Sequence, residues 1–160
     1  MKVLLLSPLP PPVGGIATWT LNMMGFIKLK DPSVEIIFQD TSLKYRNILN
    51  NDILSRIFYG IKEYLRINRE LKKNIKTHIP DIIHLASSAS LALFKDYFIS
   101  TLAYRYKIPL IIHWHFGRIP ELSLLHNWEW KFVTYIIGRS HTSVVIDPGS
   151  YETLKSKSFN

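Results

Sequence analysis

The stretch KVLLLSPLPPPVGGIATWTLNMM, residues 2–24, predicts a strand, a loop and a helix in that order. The unbroken apolar run at 3–6 is typical of a strand that is buried on both faces of a parallel sheet. The prolines from Pro8 onward fix φ and remove backbone donors, so they predict a stiff, extended loop. Gly14 and Gly15 then begin a helical pattern near Ile16, and a helix start with unpaired N–H groups suits an anionic or hydroxyl-rich ligand.

The glycine pair has a second explanation. Paired glycines between a strand and a helix are as often a tight turn as a ligand site. The pattern is not a complete GxGxxG, and no lysine follows the glycines before Lys28. The stretch therefore matches neither a dinucleotide fingerprint nor a phosphate-binding P-loop.

The composition is that of one ordinary globular domain. The chain has 160 residues, of which 47% are hydrophobic and 20% charged. This is enough to bury one core, so we expect a single domain over 1–160. Cysteine is absent, which excludes disulfides and thiolate metal sites. The formal net charge of +8 favours an anionic partner: phosphate, nucleic acid or an acidic membrane surface.

Strand and helix patterns alternate along the rest of the chain. The alternation predicts an α/β fold, a Rossmann-like open parallel sheet of about five strands with helices on both faces. The segment 42–51 is polar and predicts a loop, after which Asp52 can cap a helix. Further strands are predicted at 34–38, 80–85, 109–113 and 142–146, and helices at 16–30, 52–76, 91–106, 122–137 and after 147–150.

Polar side chains lie at or just past the end of each predicted strand. Ligands bind at the carboxyl ends of the strands in open α/β sheets, so we expect these groups to line one rim around the helix start. They are Ser7, Asp40, His84, Ser87, Ser88, His113, His115 and Asp147.

His113 ends the predicted fourth strand and His115 follows it, and the alternation of side chains along an extended segment puts both imidazoles on one side. A zinc ion would need three or four ligands, and the chain has neither cysteine nor HExxH to supply them. We therefore expect no metal. Two roles stay open for each residue: a structural histidine, or one that contacts substrate and exchanges a proton near neutral pH.

The other candidates have equally plain alternatives. His84 lies deeper in its strand, which favours a structural role. Ser87 and Ser88 could bind a sugar hydroxyl or a phosphate, although capping the next helix is the commoner role. Arg118 could hold a phosphate, or it could be an exposed loop arginine without a specific partner.

The order of four segments is similar to a known pattern. The segments are Ser7-Pro8, Gly14-Gly15-Ile16, PDIIH at 80–84 and IPLIIHWHFG at 108–117. Together they resemble the N-terminal, acceptor-side domain of the GT-B glycosyltransferases, and more narrowly the retaining group called family 4. The resemblance covers nearly the whole chain, and its specificity lies in the order and spacing of the segments.

The resemblance implies two Rossmann-like domains that face a cleft, the N-terminal one holding the acceptor and the C-terminal one the nucleotide sugar. By motif, the loop beside the donor phosphates falls on Gly14 and Gly15. The catalytic histidine near the transferring sugar best matches His115, because Gly117 follows it closely; His113 is the fallback. Transfer in this group uses no metal or other cofactor, and the nucleotide sugar is the donor substrate.

The sequence departs from the family pattern in two places. The C-terminal domain, with its Glu-x7-Glu element, has no counterpart in these residues. We therefore expect the nucleotide sugar to bind through a missing C-terminal domain or a partner subunit, and the chain alone to be inactive. Ala86 stands where relatives often carry another histidine, which leaves that part of the acceptor pocket unassigned.

The leading hypothesis is the acceptor-binding half of a glycosyltransferase. It would transfer a sugar from a nucleotide-sugar donor to a saccharide or lipid-linked saccharide in polysaccharide or glycoconjugate synthesis. The alternative is a stand-alone Rossmann-like module that binds a nucleotide or phosphosugar without catalysis. No motif supports a nucleic-acid partner, so none is expected. The expected substrate-binding residues are Gly14, Gly15, Ile16, His84, Ser87, Ser88, Arg118 and Asp147.

The helix predicted at 52–76 has a basic face. We expect a cytoplasmic protein in which this face touches the anionic inner surface of the membrane by charge alone. A solvated surface helix is the alternative. The apolar positions of the helix, Ile61 and Leu65 among them, are expected in the domain core. The basic residues are Arg56, Lys62, Arg66, Arg69, Lys72, Lys73 and Lys76.

Overall fold

The computed structural model describes residues 1–11, 13–42 and 53–157, with the side chains of all of these except 53–59. Strands and helices alternate along this part of the chain. The strands are β1 (Lys2–Ser7), β2 (Glu35–Asp40), β3 (Ile82–Ser87), β4 (Leu110–Trp114) and β5 (Thr142–Val145). The helices are α1 (Gly15–Lys30), α2 (Ile53–His78), α3 (Ala92–Arg105), α4 (Ile119–Leu125), α5 (Trp128–Ile137) and α6 (Pro148–Ser156).

The five strands form one parallel sheet in the order β2-β1-β3-β4-β5. The apolar run of β1 lies near its centre, where Leu4 pairs with Ile37 on one side and Ile83 on the other. Leu4, Leu5 and Leu6 are all fully buried. The predicted Rossmann-like α/β fold is confirmed.

The helices cover the two faces of the sheet unevenly. Strand alternation points Leu4 and Leu6 to one face, where α2, α3 and α5 pack on them. Leu5 and Ser7 point to the other face, which among the described helices is covered by α1. There Ser7 Oγ and Thr20 Oγ1 share a hydrogen bond of 2.6 Å. The larger core contains Leu4, Leu6, Ile37, Ile67, Leu71, Ile83, Leu93, Ile99, Ile112, Trp114, Val133 and Ile136.

Three strands begin and end later than the sequence predicts. β2 is predicted at 34–38 and occupies Glu35–Asp40, β3 is predicted at 80–85 and occupies Ile82–Ser87, and β4 is predicted at 109–113 and occupies Leu110–Trp114. Ser87 therefore lies inside β3, paired with Trp114 of β4, and does not cap the following helix. The predicted Asp52 cap and residues 43–51 of the predicted loop lie outside the described residues.

The single helix predicted at 122–137 is wrong, because two helices occupy this segment. α4 ends where His126 adopts a left-handed conformation with φ of 49°. α5 then begins after Asn127, whose side chain accepts a 3.1 Å hydrogen bond from the Trp130 N–H. The apolar residues continue at helical spacing through the break, so their periodicity hides it.

We expect Asn127→Ala to lower the free energy of unfolding by about 1 kcal/mol, because the N–H that the cap satisfies loses its partner. Urea denaturation measures the change. Lys131→Ala, an exposed change in the same helix, is the matched control and should stay within about 0.5 kcal/mol of the parent. Equal effects of the two changes would show that the cap does not stabilise α5.

Candidate functional site

The first turn of α1 is bare, meaning that it has neither a side-chain cap nor an acidic residue. Gly14 is the residue before the helix, with an extended φ of −162°, and no side chain caps the helix start. The first turn contains no acidic residue. A Cβ built on Gly14 or Gly15 would meet nothing within 4 Å, so packing does not require glycine at either position. The glycines leave the N–H groups of the helix start open to a ligand, and Ile16 follows them partly buried.

Three imidazoles lie side by side near this helix start. β3 carries His84 and β4 carries His113. Ala86 pairs with His113, and His84 lies two residues before Ala86 in β3, so the side chains of His84 and His113 point to the same face of the sheet, the one that α1 covers. The ring centroids of His84 and His113 are 5.9 Å apart, and those of His113 and His115 are 4.0 Å apart. The sheet therefore brings together three of the histidines that sequence reasoning singled out.

Trp19 of α1 contacts all three imidazoles. Its ring centroid lies 5.7 Å from that of His84, 4.8 Å from His113 and 4.7 Å from His115, each with edge-on geometry. Sequence reasoning missed this residue. The available signal was its position four residues after Gly15, which places both on the same side of a helix. An open depression of about 630 Å³ on α1 is lined by Gly15 and Trp19 together.

Burial keeps the imidazoles neutral. Loss of solvent lowers the pKa of His84 to about 4, and the charge of His113 adds to the effect. Burial also lowers the pKa of His115 to about 4, with repulsion from His113 and His84, and it lowers the pKa of His113. All three are therefore uncharged at neutral pH.

Two ring nitrogens in the cluster lack a hydrogen-bond partner among the described residues. They are the buried Nε2 atoms of His84 and His115. A neutral imidazole has one donor and one acceptor nitrogen, so each ring can bond a hydroxyl group of a ligand in either sense. Within the described ranges, no group of three or more His, Cys, Asp or Glu side chains is arranged to hold a metal ion.

His115 is fixed by the end of the sheet. The backbone N–H of His115 donates a 2.9 Å hydrogen bond to the backbone carbonyl oxygen of Ser87. The Ser87 hydroxyl is fully buried and donates to Asp96 Oδ2 at 2.6 Å, and Asp96 in turn pairs with Lys95. Ser87 therefore supports the backbone at His115 through buried bonds, whereas Ser88, which follows β3, is exposed.

The remaining candidates, Arg118 and Asp147, are held by neighbouring side chains. Arg118 Nη2 donates to Glu129 Oε2 at 3.1 Å and to Ser90 Oγ at 3.2 Å. Asp147 caps α6 and accepts from the N–H of Ser150 at 2.8 Å and from its hydroxyl at 2.6 Å. These bonds lower the pKa of Asp147. Asp147 also lies close to Gly117, two residues after His115, because a Cβ built on Gly117 would lie 3.5 Å from the Oδ2 atom of Asp147.

Comparison with known proteins shows the fold of the chain and leaves its activity open. Neither a protein-family model nor a curated protein sequence matches it. A Staphylococcus aureus MnaA structure with UDP is 13% identical over 98% of this chain and 40% of that one, with a TM-score of 0.61. A Listeria monocytogenes protein assigned as a UDP-N-acetylglucosamine 2-epimerase is 9% identical over 99% of this chain and 43% of that one, with a TM-score of 0.60.

These structures share the Rossmann-like fold of the chain. The chain spans only about two fifths of the length of either one. No helix in the described part of the chain is both long and apolar enough to cross a membrane.

Proposed function

We propose that this chain is the acceptor-side domain of a GT-B glycosyltransferase similar to family 4. The enzyme would transfer a sugar from a nucleotide-sugar donor to a saccharide or lipid-linked saccharide. The observation that carries the proposal is the cluster of three neutral imidazoles and Trp19 beside the bare start of α1. The fold that the chain shares with the UDP-bound MnaA structure and with the assigned UDP-N-acetylglucosamine 2-epimerase supports it.

The cluster suits a neutral sugar next to a charged diphosphate. In the proposed complex, phosphate oxygens accept from the N–H groups at Gly15 and Ile16, where the helix dipole is positive. The imidazoles bond the hydroxyl groups of the sugar, and the Trp19 ring limits how water reaches them. The rest of the donor is expected to bind a C-terminal domain or a partner subunit.

The low pKa of His115 restricts its role. Transfer breaks the bond between the sugar carbon and the diphosphate, and the acceptor oxygen that forms the new bond passes its proton to the departing diphosphate. A histidine with a pKa of about 4 is a weak base at neutral pH. We therefore assign His115 to hydrogen bonding of the transferring sugar and not to abstraction of the acceptor proton.

Two other functions fit parts of the same site. A sugar-nucleotide epimerase is favoured by the fold that the chain shares with the protein assigned as a UDP-N-acetylglucosamine 2-epimerase. A binding module without catalysis would use the same bare helix start and hydroxyl-binding imidazoles.

Incubation of the full-length protein with nucleotide sugars labelled in the sugar separates these functions. UDP-, GDP- and ADP-sugars are supplied with and without a mixture of saccharide and lipid-linked acceptors, and the products are resolved by chromatography. We expect label in the acceptor and acceptor-dependent release of the nucleoside diphosphate. A changed sugar without any acceptor would favour the epimerase, and nucleotide-sugar binding without turnover would favour the module.

A further inference from the structure

A groove runs between α2 and α3 on the face of the sheet opposite to the histidines. It has a volume of about 390 Å³. Ile61, Leu65 and Phe98 line it, yet 53%, 61% and 47% of their respective surfaces are exposed. The expectation that Ile61 and Leu65 pack into the domain core is therefore wrong. The helix turns both of them outward beside Phe98 of α3, and they form an apolar strip on the surface.

Exposed cations lie on the two helices that form the groove. Lys72 and Arg105 line the groove itself. Among the described residues, none of the cations on this surface forms an ion pair with an acidic side chain. The exposed cations of α2 and α3 are Lys62, Arg69, Lys72, Lys73, Lys76 and Arg105.

The acidic groups of the same helices do not compensate these charges. Arg66 forms ion pairs with both acidic residues of α2, with distances of 2.9 Å from Nη2 to Glu63 Oε2 and 3.0 Å from Nη1 to Glu70 Oε2. Asp96 of α3 is buried and pairs with Lys95. Arg66 is therefore neutralised and does not contribute to the basic face as the sequence suggested, and the other exposed cations have no ion-pair partner among the described residues.

We propose that the α2–α3 groove and its cations form a docking surface for an anionic lipid bilayer. The apolar strip would enter the headgroup layer while the cations contact lipid phosphates, the arrangement found in proteins that lie on membranes. A nucleic acid would use the cations and could stack on Phe98, but it has no use for the exposed Ile61 and Leu65. Docking on this face leaves the histidine face of the sheet free and requires no chemistry there.

Flotation of the purified protein with vesicles tests this surface. Vesicles contain phosphatidylcholine alone or phosphatidylcholine with phosphatidylglycerol, at low and at high salt. We expect binding to the anionic vesicles only, weakened by salt because mobile ions screen exposed charges. Arg69→Glu, Lys72→Glu and Lys73→Glu combined should lower partitioning by about a hundredfold or more, since three cations lose contact with the anionic leaflet.

The matched control reverses three exposed cations elsewhere, with Lys28→Glu, Lys30→Glu and Lys131→Glu combined. It carries the same change in net charge and should bind far better than the groove variant. Leu65→Gln with Phe98→Gln tests the apolar strip and should weaken binding even where the charges remain. Fluorescence anisotropy with a labelled oligonucleotide is run in parallel.

Equal losses in the groove and control variants would mean that net charge alone drives binding and would overturn the proposal. Failure to bind anionic vesicles at low salt would overturn it as well. So would tight oligonucleotide binding that the groove variant abolishes while vesicle binding stays weak.

Discussion

Replacement of His115 by alanine is expected to lower the turnover of the full-length enzyme by about a hundredfold or more. The side chain lies between Trp19 and His113, and its Nε2 atom is buried without a partner, so a ligand hydroxyl is the group that would complete its hydrogen bonding. The fold should change little in stability. Loss of packing is offset because the variant no longer buries an unsatisfied nitrogen.

Steady-state rates measured beside urea denaturation separate a role in transfer from a role in folding. His113→Ala is the control from the same cluster, because it removes a neighbouring imidazole of similar burial and should have a smaller effect on turnover. Comparable losses of turnover and of stability in His115→Ala would make this residue structural. A larger catalytic loss in His113→Ala would move the assignment to that residue.

Acidification from about pH 7 to about pH 5 is expected to lower the free energy of unfolding by about 1–3 kcal/mol, which is less than two fully buried imidazoles would give because both rings are partly exposed to solvent. His84 and His115 have a pKa of about 4 in the fold against an ordinary value of 6.5. The unfolded chain therefore binds more protons than the folded one between these two values. Stability is complete above about pH 6.5 and is lost as the pH falls toward 4.

Urea denaturation across this pH range measures the loss. A variant with His84→Gln and His115→Gln has no imidazole to protonate at either position, so its stability should depend much less on pH. The control is His126→Gln, which removes an exposed histidine of the described chain and should keep the pH dependence of the parent. A parent protein whose stability is flat down to pH 5 would contradict the burial of neutral imidazoles.

The fold could be predicted from the sequence because its signals are local. The run at 3–6 identified an interior strand of the sheet, and the alternation of strand and helix patterns predicted the parallel sheet. The break between α4 and α5 was hidden, because it depends on one left-handed residue and one cap inside a continuous apolar pattern. The outward positions of Ile61 and Leu65 were hidden too, because spacing shows which residues share a helix face but not whether a neighbouring helix reaches them.

The candidate site was only partly predictable. Strand ends identified the three histidines as members of one rim, and the structure brings their rings together. Trp19 was missed because a tryptophan in a helix usually packs in a core. Its spacing of four from Gly15 indicates a shared side of α1, and the pairing of the strands then shows that this side faces the imidazoles. The low pKa values arise from burial and from mutual repulsion, and neither can be assessed before the positions of the side chains are known.

The hydrogen bond from the backbone N–H of His115 to the backbone carbonyl of Ser87 makes this residue an extension of the sheet. Loops can adjust to a ligand, but a residue bonded to a buried strand moves with the whole sheet. An arriving sugar would therefore find this imidazole already in position, and no binding energy would be used to order it. Closure of the site around a substrate would therefore have to come from segments that move toward the sheet, because the carboxyl ends of the strands, where His115 lies, are held in place by the sheet.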